Sequence, residues 1–145
     1  MIEKCVADWH EFINGKNFAG LEALIAEDCV FVSPIVFTPQ KGKDLTVAYL
    51  SAAAATLGGL GMPGAGKPAQ EPSKFKYTKE ILQGNNAALE FETEMDGKYV
   101  NGVDIITCND EGKITEFRVM IRPLQAVNLV HDAMRKMLDK IGANR

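Results

Sequence analysis

Apolar residues recur at helical spacing from the start of the chain. Ile2, Val6, Trp9 and Ile13 share one face, with Glu3, Asp8 and Glu11 between them, which predicts an opening helix. Asn14-Gly15-Lys16-Asn17 breaks it, since Gly and Asn accept turn geometry. A short second helix is expected from Phe18 to Ile25. The β-branched and aromatic run Cys29-Val30-Phe31-Val32-Ser33 then reads as a strand that Pro34 ends, and Ile35 to Thr38 as a brief return strand. Residues 44–57, rich in Ala and Leu, predict a third helix, and the Gly- and Pro-rich stretch 58–72 a flap.

Beyond that stretch the period changes to two. Phe75, Tyr77 and Ile81 belong to one strand. Leu89, Phe91, Thr93 and Met95 line one face of the next, with Glu90, Glu92 and Glu94 on the other. Asp96-Gly97 signals a hairpin. Strands follow at Tyr99–Thr107 and Ile114–Ile121, and Pro123 opens a final helix with the stripe Val127, Val130, Met134, Met137 and Ile141. Helices, then antiparallel strands, then a helix make an α+β domain with helices packed on a sheet. No repeat or linker divides it, so residues 1–145 are expected to form a single domain. In the Tyr99–Thr107 strand both faces are largely apolar, so each needs a cover. The early helices serve one face; a second subunit or the C-terminal helix must serve the other.

The 145 residues carry a formal charge of −3, which argues against nucleic acid as a partner, and no apolar stretch is long enough to span a membrane. Cys5, Cys29 and Cys108 are odd in number and lack Cys-x-x-Cys spacing, so reduced, buried thiols in a cytoplasmic protein are expected, with no metal and no cofactor. No basic, apolar leader opens the chain.

Several motifs imitate chemistry. Gly59-Leu60-Gly61-Met62-Pro63-Gly64 fits the dinucleotide glycine pattern but follows a helix rather than a strand. Gly61 to Lys67 fits most of a P-loop, but Pro68 stands where the magnesium-binding hydroxyl belongs. His10 and His131 lack ligand spacing, and Lys74 and Lys76 offer cross-strand partners to the three glutamates. No nucleophile elbow is present; Ser33 ends a strand before a proline.

Two segments resemble a known family. Trp9 through Pro34 is similar to the opening of the nuclear transport factor 2-like superfamily, in its SnoaL-like and ketosteroid-isomerase-like branch. The likeness resumes at Gly102-Val103-Asp104-Ile105-Ile106-Thr107-Cys108 and runs to Arg122. It implies a cone in which a curved antiparallel sheet wraps the N-terminal helices around an apolar pocket, with a C-terminal helix added here. It also implies a homodimer formed through the outer sheet face. In steroid isomerases of this fold an Asp base before a proline moves a proton beside a carbonyl, while a helix-one Tyr and a protonated late-strand Asp bind the oxyanion. By position the base becomes Ser33, the tyrosine becomes Trp9, and the late-strand acid is retained as Asp104. Gly102 stands where the epoxide-hydrolase branch would have its Arg.

Asp104 is therefore the candidate catalytic residue, with burial expected to raise its pKa. Strand alternation adds Phe31, Ser33, Phe91, Phe117, Val119 and Ile121 as ligand-contact candidates, and the helices add Trp9 and Tyr49. The expected ligand is a small hydrophobic molecule. Two functions stay open: an isomerase, cyclase or dehydratase acting on a hydrophobic carbonyl compound, or a non-catalytic binding or assembly module.

Overall fold

The computed structural model describes residues 1–15, 20–57 and 74–141, leaving out the side chains of residues 55–57, 137, 138, 140 and 141. The expected flap at 58–72, its two glycine patterns, and Lys16 to Phe18 lie outside the described residues.

Helix α1 spans Ile2–Ile13 and buries Ile2, Cys5, Val6, Trp9 and Phe12, the face its spacing predicts. Helix α2, Gly20–Leu24, buries Leu21 and Leu24. Strand β1, Ile25–Val32, starts four residues before the expected Cys29, because Ile25 already pairs with Ile114 across a register shift. The return strand expected at 35–38 is not formed; β2 is Gln40–Lys41. The Ser33 Oγ accepts hydrogen bonds from the backbone N–H groups of Ile35 and Val36 at 3.0 and 3.2 Å, which bends the chain into a turn instead.

Helix α3, Lys43–Leu57, packs against β1. Strands β3 (Lys76–Gln83), β4 (Asn86–Met95), β5 (Lys98–Cys108) and β6 (Ile114–Arg122) follow. Asp96 and Gly97 both have positive φ, 50° and 76°, which suits the twist of the β4–β5 hairpin. The sheet order is β2-β1-β6-β5-β4-β3. One pairing departs from the all-antiparallel expectation: β1 runs parallel to β6. Helix α4, Leu124–Ile141, packs against α3, and its Ala126, Val130 and Met134 join the same core as α1 and the sheet.

The sheet bends around that core. Register shifts interrupt β1–β6, β3–β4 and β5–β6, and such bulges increase local twist. Gly102 makes a close approach possible. A Cβ there would lie 2.4 Å from Phe91 Cζ and 2.6 Å from the Met120 carbonyl oxygen, so the Phe91 ring packs directly over the β5 backbone. The inward rows are Ala87-Ile106-Phe117, Leu89-Asp104-Val119 and Phe91-Gly102-Ile121. The outward rows are Ala88-Ile105-Arg118 and Glu90-Val103-Met120. The two-sided apolar character of β5 is thus real, and the helices cover one side. On the other, Ile81 and Met120 stand 59% and 49% exposed.

Candidate active site

The bulge between Tyr77 and Lys79 decides which side chains of β3 face the helices. Without it Tyr77 and Ile81 would share a face. With it Tyr77 pairs with Phe91 on the inner side, while Ile81 pairs with Ala88 on the outer side. Tyr77 then stands opposite Trp9 of α1 and Asp104 of β5. The Trp9 Nε1–H donates to Tyr77 Oη at 2.8 Å, and the Tyr77 hydroxyl meets Asp104 Oδ2 at 2.6 Å. Tyr77 as a whole is half-buried, but its hydroxyl lies between two buried residues, Trp9 and Asp104.

These three groups border a cavity of about 40 Å³. Helix α1 adds Ile13, and α3 adds Leu50, Ala53 and Ala54. The sheet contributes Phe91, Phe117 and Val119, with Phe75 just ahead of β3. Rings build most of the wall. Phe75 stacks on Phe91 at 5.0 Å, Tyr77 stands edge-on to Phe75 at 5.1 Å, and Trp9 packs on Phe117 at 4.8 Å. The volume bounded by described residues suits two or three waters, well short of the roughly 300 Å³ at which ligand pockets begin.

Asp104 is 5% exposed. Burial among apolar walls pushes its carboxyl up from 3.8 to about 7, against a smaller downward pull from the Tyr77 hydrogen bond. The Tyr77 phenol is held well above its ordinary value, first by burial and then by the adjacent Asp104. At neutral pH the carboxyl therefore exists in both protonation states, the condition for exchanging a proton with a ligand.

Of the residues singled out from the sequence, Trp9, Phe91, Asp104, Phe117 and Val119 border this cavity. Phe31 and Tyr49 form the layer behind it: Phe31 lies 5.3 Å from Tyr49 and 6.2 Å from Phe117, ring to ring. Ile121 sits beside Gly102 one row further along, and Ser33 is engaged by its turn. Tyr77 was not singled out in advance. Its parity with Phe75 was the available signal, but alternation alone could not separate it from Ile81.

A larger concavity, about 310 Å³, lies across the outer face between β3 and β6. Asn101 links two of its charged groups: its Nδ2 donates to Glu90 Oε2 at 3.1 Å, and Arg122 donates to its Oδ1 at 3.3 Å. Trp9, Tyr77 and Asp104 do not line it; they border the smaller inner cavity. Among the described residues no three His, Cys, Asp or Glu side chains converge as metal ligands, and no helix is long and apolar enough to cross a membrane. The three cysteines are buried and unbridged, with burial pushing Cys5 up to about 12 and Cys29 to about 11.

Residues 6–117 match the model of the SnoaL-like domain. The chain belongs to the SnoaL-like domain family. The resemblance read from Trp9–Pro34 and Gly102–Arg122 is therefore borne out, and so is the fold it implied. The SnoaL-like chain is similar to the crystal structure of a steroid delta-isomerase from Pseudomonas aeruginosa, with 24% identity and a TM-score of 0.81 over 99% of this chain and 95% of that one. A bacterial protein with a cystatin-like fold from Silicibacter pomeroyi is 27% identical, with a TM-score of 0.77 over 93% of this chain and 85% of that one. An NTF2-like protein from Mesorhizobium loti is 22% identical, with a TM-score of 0.62 over 84% and 93%. A comparison with curated proteins finds no match.

Proposed function

We propose that this SnoaL-like protein binds a small hydrophobic carbonyl compound with its oxygen seated in the inner cavity and its apolar body at the cavity mouth, and transfers a proton to or from it through Asp104. The observation that carries the reading is one carboxyl, 5% exposed, set in a wall of rings and aliphatic side chains with its hydroxyl partner already in place. A carboxyl near about 7 is suited to acid–base work at neutral pH, and such work needs no metal or cofactor. Isomerisation, cyclisation and dehydration all fit a single proton-exchanging group. The steroid isomerase among the similar structures is consistent with this reaction class.

A second reading is favoured by Ser33. It stands where the steroid isomerases have their base, and its oxygen is held by two backbone N–H groups. A neutral hydroxyl so engaged has no base strength, which suits a binding module that holds the ligand without turning it over. Hydrophobic ketones and lactones screened against wild type and Asp104→Asn separate the two. Turnover that collapses in the variant supports the enzyme. Binding without turnover in either protein supports the module, and binding to neither removes both.

We also infer a homodimer through the outer sheet face. Ile81, Val103, Ile105 and Met120 form an apolar strip, with Arg118 and Arg122 beside it on β6 and Lys79, Glu90 and Glu92 beside it on β3 and β4. A face carrying both charges around an apolar centre is complementary to its own two-fold copy. The buried, unbridged thiols fit a reducing compartment, and the cytoplasm is the proposed location.

A further inference from the structure

We propose that Trp9 and Tyr77 are positioning residues: they commit one oxygen of Asp104 and leave the other, Oδ1, as the polar anchor that the described residues offer the cavity, which thereby selects apolar ligands whose polar atom accepts a hydrogen bond. This rests on the ligand-binding reading above and narrows it.

The donors and acceptors present fix the direction of both hydrogen bonds. An indole N–H can only donate, so Tyr77 Oη must accept from Trp9. The phenol then has one proton to place. Among the described residues Asp104 Oδ2, at 2.6 Å, is the acceptor the structure supplies for it. A buried hydroxyl left unsatisfied is costly, so the phenol proton points to Oδ2. Oδ2 is thus an acceptor in both states of the carboxyl. When Asp104 is protonated, its proton sits on Oδ1.

The consequence differs from what the family resemblance implies for Trp9. At the helix-one position a steroid isomerase offers a hydroxyl to its ligand, whereas here the Trp9 N–H is spent on Tyr77, and the Tyr77 proton is spent on Asp104. Neither remains to bind a ligand oxygen. The protonated carboxyl can donate from Oδ1 to a carbonyl; the ionised form can only accept. A ligand with an acceptor and no donor is therefore held by the acid form and released as the acid ionises.

Trp9 is the single tryptophan of the chain, so its indole gives one N–H cross-peak in a nitrogen-15 spectrum and reports from the end of the relay. The other titratable groups near the relay are His10, which stands edge-on to Tyr77 at 5.3 Å, its partner Glu80 on β3, and, one layer back against Phe31, Tyr49 on α3. The inner faces of β4 and β6 contribute Leu89, Phe91, Phe117 and Val119, which do not titrate. In wild type the indole peak should shift with the ionisation of Asp104. Asp104→Asn, which keeps His10, Glu80 and Tyr49, should abolish that inflection, and so should Tyr77→Phe. In Tyr77→Phe the Asp104 carboxyl, followed by its own carbon-13 signal, should ionise at a higher pH, because the lost hydrogen bond had favoured the charged form. An indole inflection unchanged in Tyr77→Phe, or a wild-type peak that ignores Asp104, overturns the relay.

The anchor is tested with acetophenone against ethylbenzene, of similar shape but without the carbonyl. Acetophenone affinity should fall about tenfold per pH unit above the Asp104 inflection, while ethylbenzene affinity stays level. Acetophenone binding that is independent of pH overturns the anchor. Failure of both probes to bind at any pH counts against the ligand-binding reading itself, and the indole titration still decides the relay.

Discussion

Replacing Asp104 by Asn should make the protein more stable at neutral pH and have little effect in acid. Burial holds the native carboxyl at about 7, while the unfolded chain ionises at its ordinary 3.8. Between those values the native protein keeps a proton that the unfolded chain has lost, so wild-type stability falls as pH rises. The slope is about 1.4 kcal/mol per pH unit, the stabilisation being full below 3.8 and gone above about 7. The whole interval amounts to about 4 kcal/mol. Asn stays neutral throughout, and its carbonyl oxygen can still accept from Tyr77. Urea unfolding of both proteins from pH 4 to 9, at one protein concentration, gives a difference curve in which groups common to both cancel. That curve should climb by about 4 kcal/mol, roughly 10 °C in melting temperature, and level off above neutrality. A flat difference curve would mean that Asp104 ionises alike in both states, and the reasoning from its burial would fail.

Other expectations follow from particular contacts. Gly102→Ala should cost about 1–3 kcal/mol or more by chemical denaturation, because the added methyl meets a backbone carbonyl that cannot swing away; a neutral result would refute the close packing of Phe91 on β5. Met120→Glu places a charge at the centre of the outer apolar strip and should convert a sedimenting dimer to monomer at micromolar concentration; a wild-type protein already monomeric there refutes the interface. Ser33→Ala removes the acceptor of two turn N–H groups and should cost about 1 kcal/mol while leaving ligand affinity unchanged; a large loss of affinity would restore Ser33 to the site.

Much of the architecture was legible because it rests on local periodicity. The helical stripe from Ile2 to Ile13, the alternation from Leu89 to Met95 and the turn at Asp96-Gly97 each announce their element, and Asp104 falls inward by simple parity with Gly102 and Ile106. What was not legible depends on breaks in that parity and on long-range pairing. The parallel partnership of β1 with β6 joins segments nearly ninety residues apart and leaves no local mark. The missing strand at 35–38 turns on one hydroxyl choosing nearby backbone donors. Tyr77 enters the site because a single bulge shifts β3 by one residue, turning Ile81 outward. Phe31 and Tyr49 share the inward side with Phe117, yet the curvature of the sheet sets them one layer back.

The site depends on one buried carboxyl aimed at an apolar cavity. The most direct measurement is the carbon-13 shift of the Asp104 side-chain carboxyl, followed from acid to alkaline pH in the folded protein and assigned by its loss in Asp104→Asn. An inflection near 7 is the expected result. An inflection at or below the ordinary carboxylate value would show a solvated acid and contradict the site.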